Sequence, residues 1–96
     1  MVDLRTAVSS AHNYLISIQH IMGDLQDIRL EEVELSEDQK YWLITLGFEL
    51  PVNTQNPFGI MAGITPKGEK LLKREYKLFK VNSETGEVEA MKIRKL

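Results

Sequence analysis

The sequence predicts an α+β fold: one long N-terminal helix packed on a four-stranded antiparallel sheet, with a long connection between the second and third strands. Three observations predict it. Apolar residues recur at steps of three and four over residues 3–25, and after Asp27 the period changes to two. The C-terminal third then holds two alternating segments joined by a Thr-Gly turn. A chain of 96 residues has room for one domain, so 1–96 is read as a single unit.

The helix is read from Leu4, Ala7, Val8, Ala11, Leu15, Ile18, Met22 and Leu25, which form one stripe of a 3.6-residue period. Asp3 is placed to cap its start by accepting from the free amides of the first turn. Gly23 offers the exit. His12, Asn13, Gln19 and His20 fall mostly off the stripe, toward water.

Residues 28–35 read as a strand with a charged side, followed by a turn through Ser36, Glu37 and Asp38. Residues 40–48, Lys-Tyr-Trp-Leu-Ile-Thr-Leu-Gly-Phe, are apolar on both faces, as a central strand requires. Pro51 ends that strand because proline cannot donate to a ladder. Residues 74–82 and 87–95 form a hairpin, whose turn is closed by Gly86 in the left-handed region. That geometry pairs Ser83 with Glu87, Phe79 with Met91 and Lys77 with Ile93. It sets Phe79, Val81, Met91 and Ile93 on the helix face, together with Trp42, Ile44, Leu46 and Phe48. Between the strands, Thr65-Pro66 reads as a helix start, with a short helical stretch through Leu71 and Leu72.

Composition limits the chemistry. There is no cysteine, which excludes disulfides, thiolate metal sites and cysteine nucleophiles. No apolar run approaches the ~20 residues a bilayer needs. Met1 to Ala11 lacks a basic segment followed by an apolar one, so no signal peptide is expected and the expected location is cytoplasmic. Net charge is −2, but it is unevenly placed. Residues 1–65 hold nine acids and three bases, a balance of −6, and residues 66–96 hold nine bases and five acids, a balance of +4. Such a chain is self-complementary, strand against strand or subunit against subunit.

Each polar cluster has a plain surface reading beside the functional one. His12 and His20 lie two turns apart and do not make a metal-gripping i, i+4 pair, whereas His20 and Asp24 have that spacing on the surface. Glu31, Glu32, Glu34, Glu37 and Asp38 lack the alternating ligands and central glycine of a calcium loop, and regular alternation sends residues 31 and 32 to opposite faces. The sequence has no Gly-x-Ser-x-Gly elbow, phosphate-cradling loop or Gly-x-Gly-x-x-Gly, so neither enzyme activity nor a cofactor is expected. The basic residues Lys70, Lys73, Arg74, Lys77, Lys80, Lys92, Arg94 and Lys95 lack interleaved aromatics, and nucleic-acid binding is not expected.

The face turned away from the helix carries the functional expectation. It shows Tyr41, Leu43, Thr45, Tyr76 and Leu78, bordered by Lys80, Lys92 and Arg94, an apolar centre with a charged rim. Tyr41, Leu43, Tyr76 and Leu78 are therefore the candidate partner-binding residues, together with Phe58, Ile60 and Met61 from the long connection. Those three either join the contact surface or fold over the face and cover it.

Ile64-Thr65-Pro66-Lys67-Gly68-Glu69-Lys70-Leu71-Leu72 resembles the Leu-Thr-Pro-x-Gly-x-x-Leu phrase of winged-helix regulators. Only one long helix precedes it here, so it reports a helix start and DNA binding does not follow. A helix followed by a four-stranded meander resembles the cystatin-like architecture. The strand Tyr41 to Leu46, with Tyr76, Phe79, Val81, Asn82, Thr85, Gly86 and Val88, resembles small bacterial PepSY-like domains. The string Gln55-Asn56-Pro57-Phe58-Gly59 lacks the central valine of the cystatin inhibitory loop, so protease inhibition is not implied. The expected function is a non-catalytic protein-interaction module, either a homodimer joined through the open sheet face or a small bacterial accessory or immunity-type protein that binds one protein partner through that face or the 53–64 loop. The alternative is a small-ligand binder or enzyme with a pocket between helix and sheet, as nuclear-transport-factor-like folds use.

Overall fold

The computed structural model describes residues 1–51 and 72–95. The architecture is α+β: helices α1 (Leu4–Ser17) and α2 (Gln19–Met22), then strands β1 (Gln26–Leu35), β2 (Tyr41–Pro51), β3 (Leu72–Asn82) and β4 (Val88–Arg94). The sheet is antiparallel with order β1-β2-β3-β4. Leu72 opens β3 opposite Pro51, so the helical stretch expected through Leu72 does not reach that residue. The rest of that stretch and Phe58, Ile60 and Met61 lie outside the described residues.

Asp3 caps α1, its Oδ1 accepting from the Thr6 amide at 2.8 Å. The expected helix over 3–25 is interrupted at Ile18, whose φ of −109° leaves the helical range. One turn earlier, the Ser17 hydroxyl donates to the Tyr14 carbonyl at 2.6 Å, a local bond that competes with the helical ladder. Gly23 then ends α2. His20 and Asp24 therefore do not stack as i, i+4 neighbours on one helix.

Ala7, Ala11 and Leu15 are the fully buried stripe of α1. They pack on Ile44, Leu46 and Phe48 of β2 and on Phe79 and Val81 of β3. Small alanines let the helix backbone come close to the sheet, and Tyr14 meets Phe79 edge-on at 6.2 Å. The helix does not reach the far end of β4. Ile93, on the same face as Met91, is 75% exposed and lies outside the expected core.

The two chain reversals and the amino terminus meet at Ser83, which is fully buried. Its hydroxyl donates to the Gln39 carbonyl and its amide to the Lys40 carbonyl, while its own carbonyl accepts from the Val2 amide. The Trp42 indole donates to the Val2 carbonyl at 3.1 Å. Gly86 has φ 78°, as the turn demands. The expected pairs Phe79 with Met91 and Lys77 with Ile93 form, but Ser83 does not pair with Glu87. A register shift between Lys80 and Val81 places Val81 opposite Val88 and leaves Glu89 as the extra residue of a bulge.

Phe79→Ala should cost about 3–5 kcal/mol in urea unfolding, because the fully buried ring leaves a cavity between helix and sheet. The Asp3 carboxyl is held below its usual value by the Thr6 backbone amide and then the Thr6 hydroxyl. Its stabilisation is complete above the unfolded value of about 3.9 and is lost as pH falls through the lower folded value. The gap in melting temperature between wild type and Asp3→Ala should therefore be widest above about pH 5 and close toward pH 2.

Candidate functional site

The sheet face opposite the helix is built by alternation along each strand. β2 contributes Tyr41, Leu43, Thr45, Gly47 and Glu49, and β3 contributes Asn82, Lys80, Leu78, Tyr76 and Arg74 opposite them. β4 adds Ala90, Lys92 and Arg94. On β1, register shifts occur between Gln26 and Arg29 and between Leu30 and Glu32. The second leaves Glu31 as an extra residue, and this corrects the expectation that Glu31 and Glu32 face opposite ways. Both carboxylates lie on the open face.

That pair changes the character of half the face. Arg74 places its NH2 2.8 Å from Glu31 Oε1 and its NH1 3.3 Å from Asp27 Oδ2 and 3.7 Å from Glu49 Oε1. Its guanidinium also lies 6.0 Å from the Tyr76 ring centre. The hydrogen bond to Glu31 raises the Arg74 pKa further above its already basic value. Gly47 makes this crossing possible. A Cβ there would sit 2.7 Å from Glu31 Oε1 and 3.0 Å from Arg74 NH2. Next to it, Arg94 reaches from β4 to hold Glu32 with bonds of 2.9 and 3.0 Å, and donates to the Thr45 hydroxyl at 3.1 Å. Thr45 is fully buried, although no described helix lies on that face.

The expected apolar centre is therefore confined to the other half. Tyr41, Leu43 and Leu78 are half-buried and line a depression of about 520 Å³ with Ser36, Glu37, Asp38, Lys80 and Lys92. Tyr76 is half-buried beside Arg74, opposite Gly47, and does not line it. Lys80 Nζ stands 4.0 Å from the Tyr41 ring centre, a cation–π contact. Sequence reasoning misses the wall of Ser36, Glu37 and Asp38 as part of the site. Its signal is the Ser-x-Asp-x-Lys turn: Asp38 Oδ1 accepts from the Ser36 hydroxyl and the Lys40 amide, and those bonds lower its pKa.

Comparison of the chain with protein-family models, with curated proteins and with solved structures finds no match. Function is therefore argued from the site alone.

The volume between helix and sheet is filled by Leu15, Ile44, Leu46, Phe48 and Phe79. Among the described residues, the two buried polar side chains, Thr45 and Ser83, lie on the open face and in the turn cluster. Among the described residues, no group of three or more acidic or histidine side chains is placed to hold a metal ion. His12 and His20 are both exposed.

In the Glu32–Arg94 pair one guanidinium nitrogen donates to both carboxylate oxygens, and the pair is partly wet, with 46% and 30% of the side chains exposed. A double-mutant cycle with Glu32→Ala and Arg94→Ala should give a coupling of about 0.5–1 kcal/mol. The coupling should shrink toward zero at about 1 M salt, where screening acts within roughly 3 Å.

Proposed function

We propose that this chain is a non-catalytic protein-interaction module that docks one protein partner on its open sheet face. The observation that carries the reading is the division of that face. Its arginine half is closed by the chain's own ion pairs, and the Tyr41–Leu43–Leu78 half is left as a wettable apolar depression between charged walls. A floor of this kind with a charged rim is the usual make-up of a protein contact. The chain acts in the cytoplasm as a homodimer, or as an accessory or immunity-type binder of one protein partner.

The filled helix–sheet interior supports this reading over a ligand pocket or active site in that position. Arg74 and Arg94 are engaged with carboxylates, which removes two of the strongest phosphate-seeking groups from the basic stripe and argues against nucleic acid as the partner. Among the described residues, no helix is long and apolar enough to cross a membrane. The order of one helical segment and a four-stranded meander is compatible with the cystatin-like and PepSY-like likeness drawn from the sequence.

Leu43→Glu puts a charge at the centre of the floor while leaving the helix face untouched. It should abolish binding to whatever protein the wild type binds, itself or another, in parallel sedimentation and affinity-capture runs, with helix content unchanged by circular dichroism. Full retention of every wild-type contact by the variant would remove the open face from consideration.

A further inference from the structure

The charges left over on the open face are sorted by side. Among the described residues, Glu34 and Glu37 make no ion pair, and they stand with Asp38 at the β1 side of the depression. Lys80 and Lys92 make none either, and they stand on β3 and β4 at the opposite side. Between the two sides lie Leu43, Leu78 and the Tyr41 ring. The face therefore presents an acidic border, an apolar floor and a basic border, in that order across the strands.

We infer that the partner on this face is a second copy of the same chain, related by a two-fold axis running along the strand direction between β2 and β3. This rests on the open-face reading above and deepens it. Rotation about that axis lays β1 of one copy over β4 of the other and β2 over β3. Position along the strands is kept by that rotation, so Glu34 lies over Ala90 of the opposing copy, two residues along β4 from Lys92, and this approach occurs twice, once on each side of the axis. A two-fold axis across the strands would instead lay β1 on β1 and oppose carboxylate to carboxylate. Electrostatics thus selects one of the two face-to-face arrangements, and the selected one is the self-complementary, isologous contact of a symmetric dimer. It also gives the near-aligned stacking that twisted sheets adopt.

The available area bounds such a contact. Four strands about 4.8 Å apart and up to ten residues rising about 3.4 Å each give the whole face, its arginine half included, roughly 600 Å². That is somewhat below the roughly 800 Å² each partner contributes to a standard interface.

Sedimentation equilibrium from 1 to several hundred micromolar tests the dimer, with Glu34→Lys and Lys92→Glu run alone and then mixed. Both side chains are exposed, and neither substitution touches the core. Wild type should reach twice the 11.0 kDa chain mass. Each single variant opposes like charges across the axis and should weaken association at least tenfold. The equimolar mixture should restore it, because in a heterodimer of the two variants every 34-to-92 approach again sets one carboxylate against one ammonium group. A wild-type mass of 11.0 kDa at every concentration overturns the second-copy inference and leaves the open face to a different protein, which the Leu43→Glu capture comparison decides. Dimers that persist in both single variants overturn this geometry. Dimers that persist in Leu43→Glu as well overturn the open face itself.

Discussion

β2 must bury both of its faces, and the described fold supplies a helical layer for only one of them. Five consecutive residues, Ile44 to Phe48, are fully buried. Ile44, Leu46 and Phe48 are covered by α1 in the ordinary way, apolar against apolar. Thr45 and Gly47 point the other way, and there the cover is made from long side chains of the neighbouring strands. Arg94 lies over Thr45 and Arg74 lies over Gly47, each anchored on a carboxylate of β1. The aliphatic stems of arginine shield the sheet while the guanidinium stays hydrogen-bonded. An arrangement of this sort stabilises modestly through its charges and more through the surface it covers.

The bulge at Glu31 is what makes that cover two residues wide. A regular β1 would send Glu31 to the helix side, out of reach of Arg74. The extra residue turns it to the open face instead, where Gly47 leaves the space it needs. The same irregularities also shorten the regular hydrogen-bonding run of β1, an edge strand already dense in carboxylates. Both features discourage indiscriminate edge pairing.

This distribution links fold to function through what each charge is already doing. Arginines that hold glutamates within the chain are not free to select a partner, while lysines and glutamates outside that network are. The depression beside Tyr41 retains both signs of charge around an apolar floor. Lys80 is partly held by the Tyr41 ring, which fixes the position of one basic group at the rim. The Ser36–Asp38–Lys40 bonds fix the opposite wall. Each wall thus has a side chain held in place by the chain's own contacts.

The sequence by itself determined the class of fold, the helix cap at Asp3, the central place of β2, the glycine turn at 86 and the pairing of Phe79 with Met91. These follow from periodicity, capping and turn chemistry, which act over a few residues and leave a direct trace in residue order. Only the tertiary structure decided the break at Ile18, the bulges at Glu31 and Glu89, the exposure of Ile93 and the meeting of Ser83 with Gln39, Lys40 and Val2. Each of these depends on what lies across the sheet or beyond the end of a helix. A bulge reverses the side on which a residue points without altering the alternation by which a strand is recognised. The division of the open face into a closed arginine half and an accessible apolar half was hidden for the same reason: Arg94 and Glu32 are 62 positions apart in the chain, and only folding brings them together.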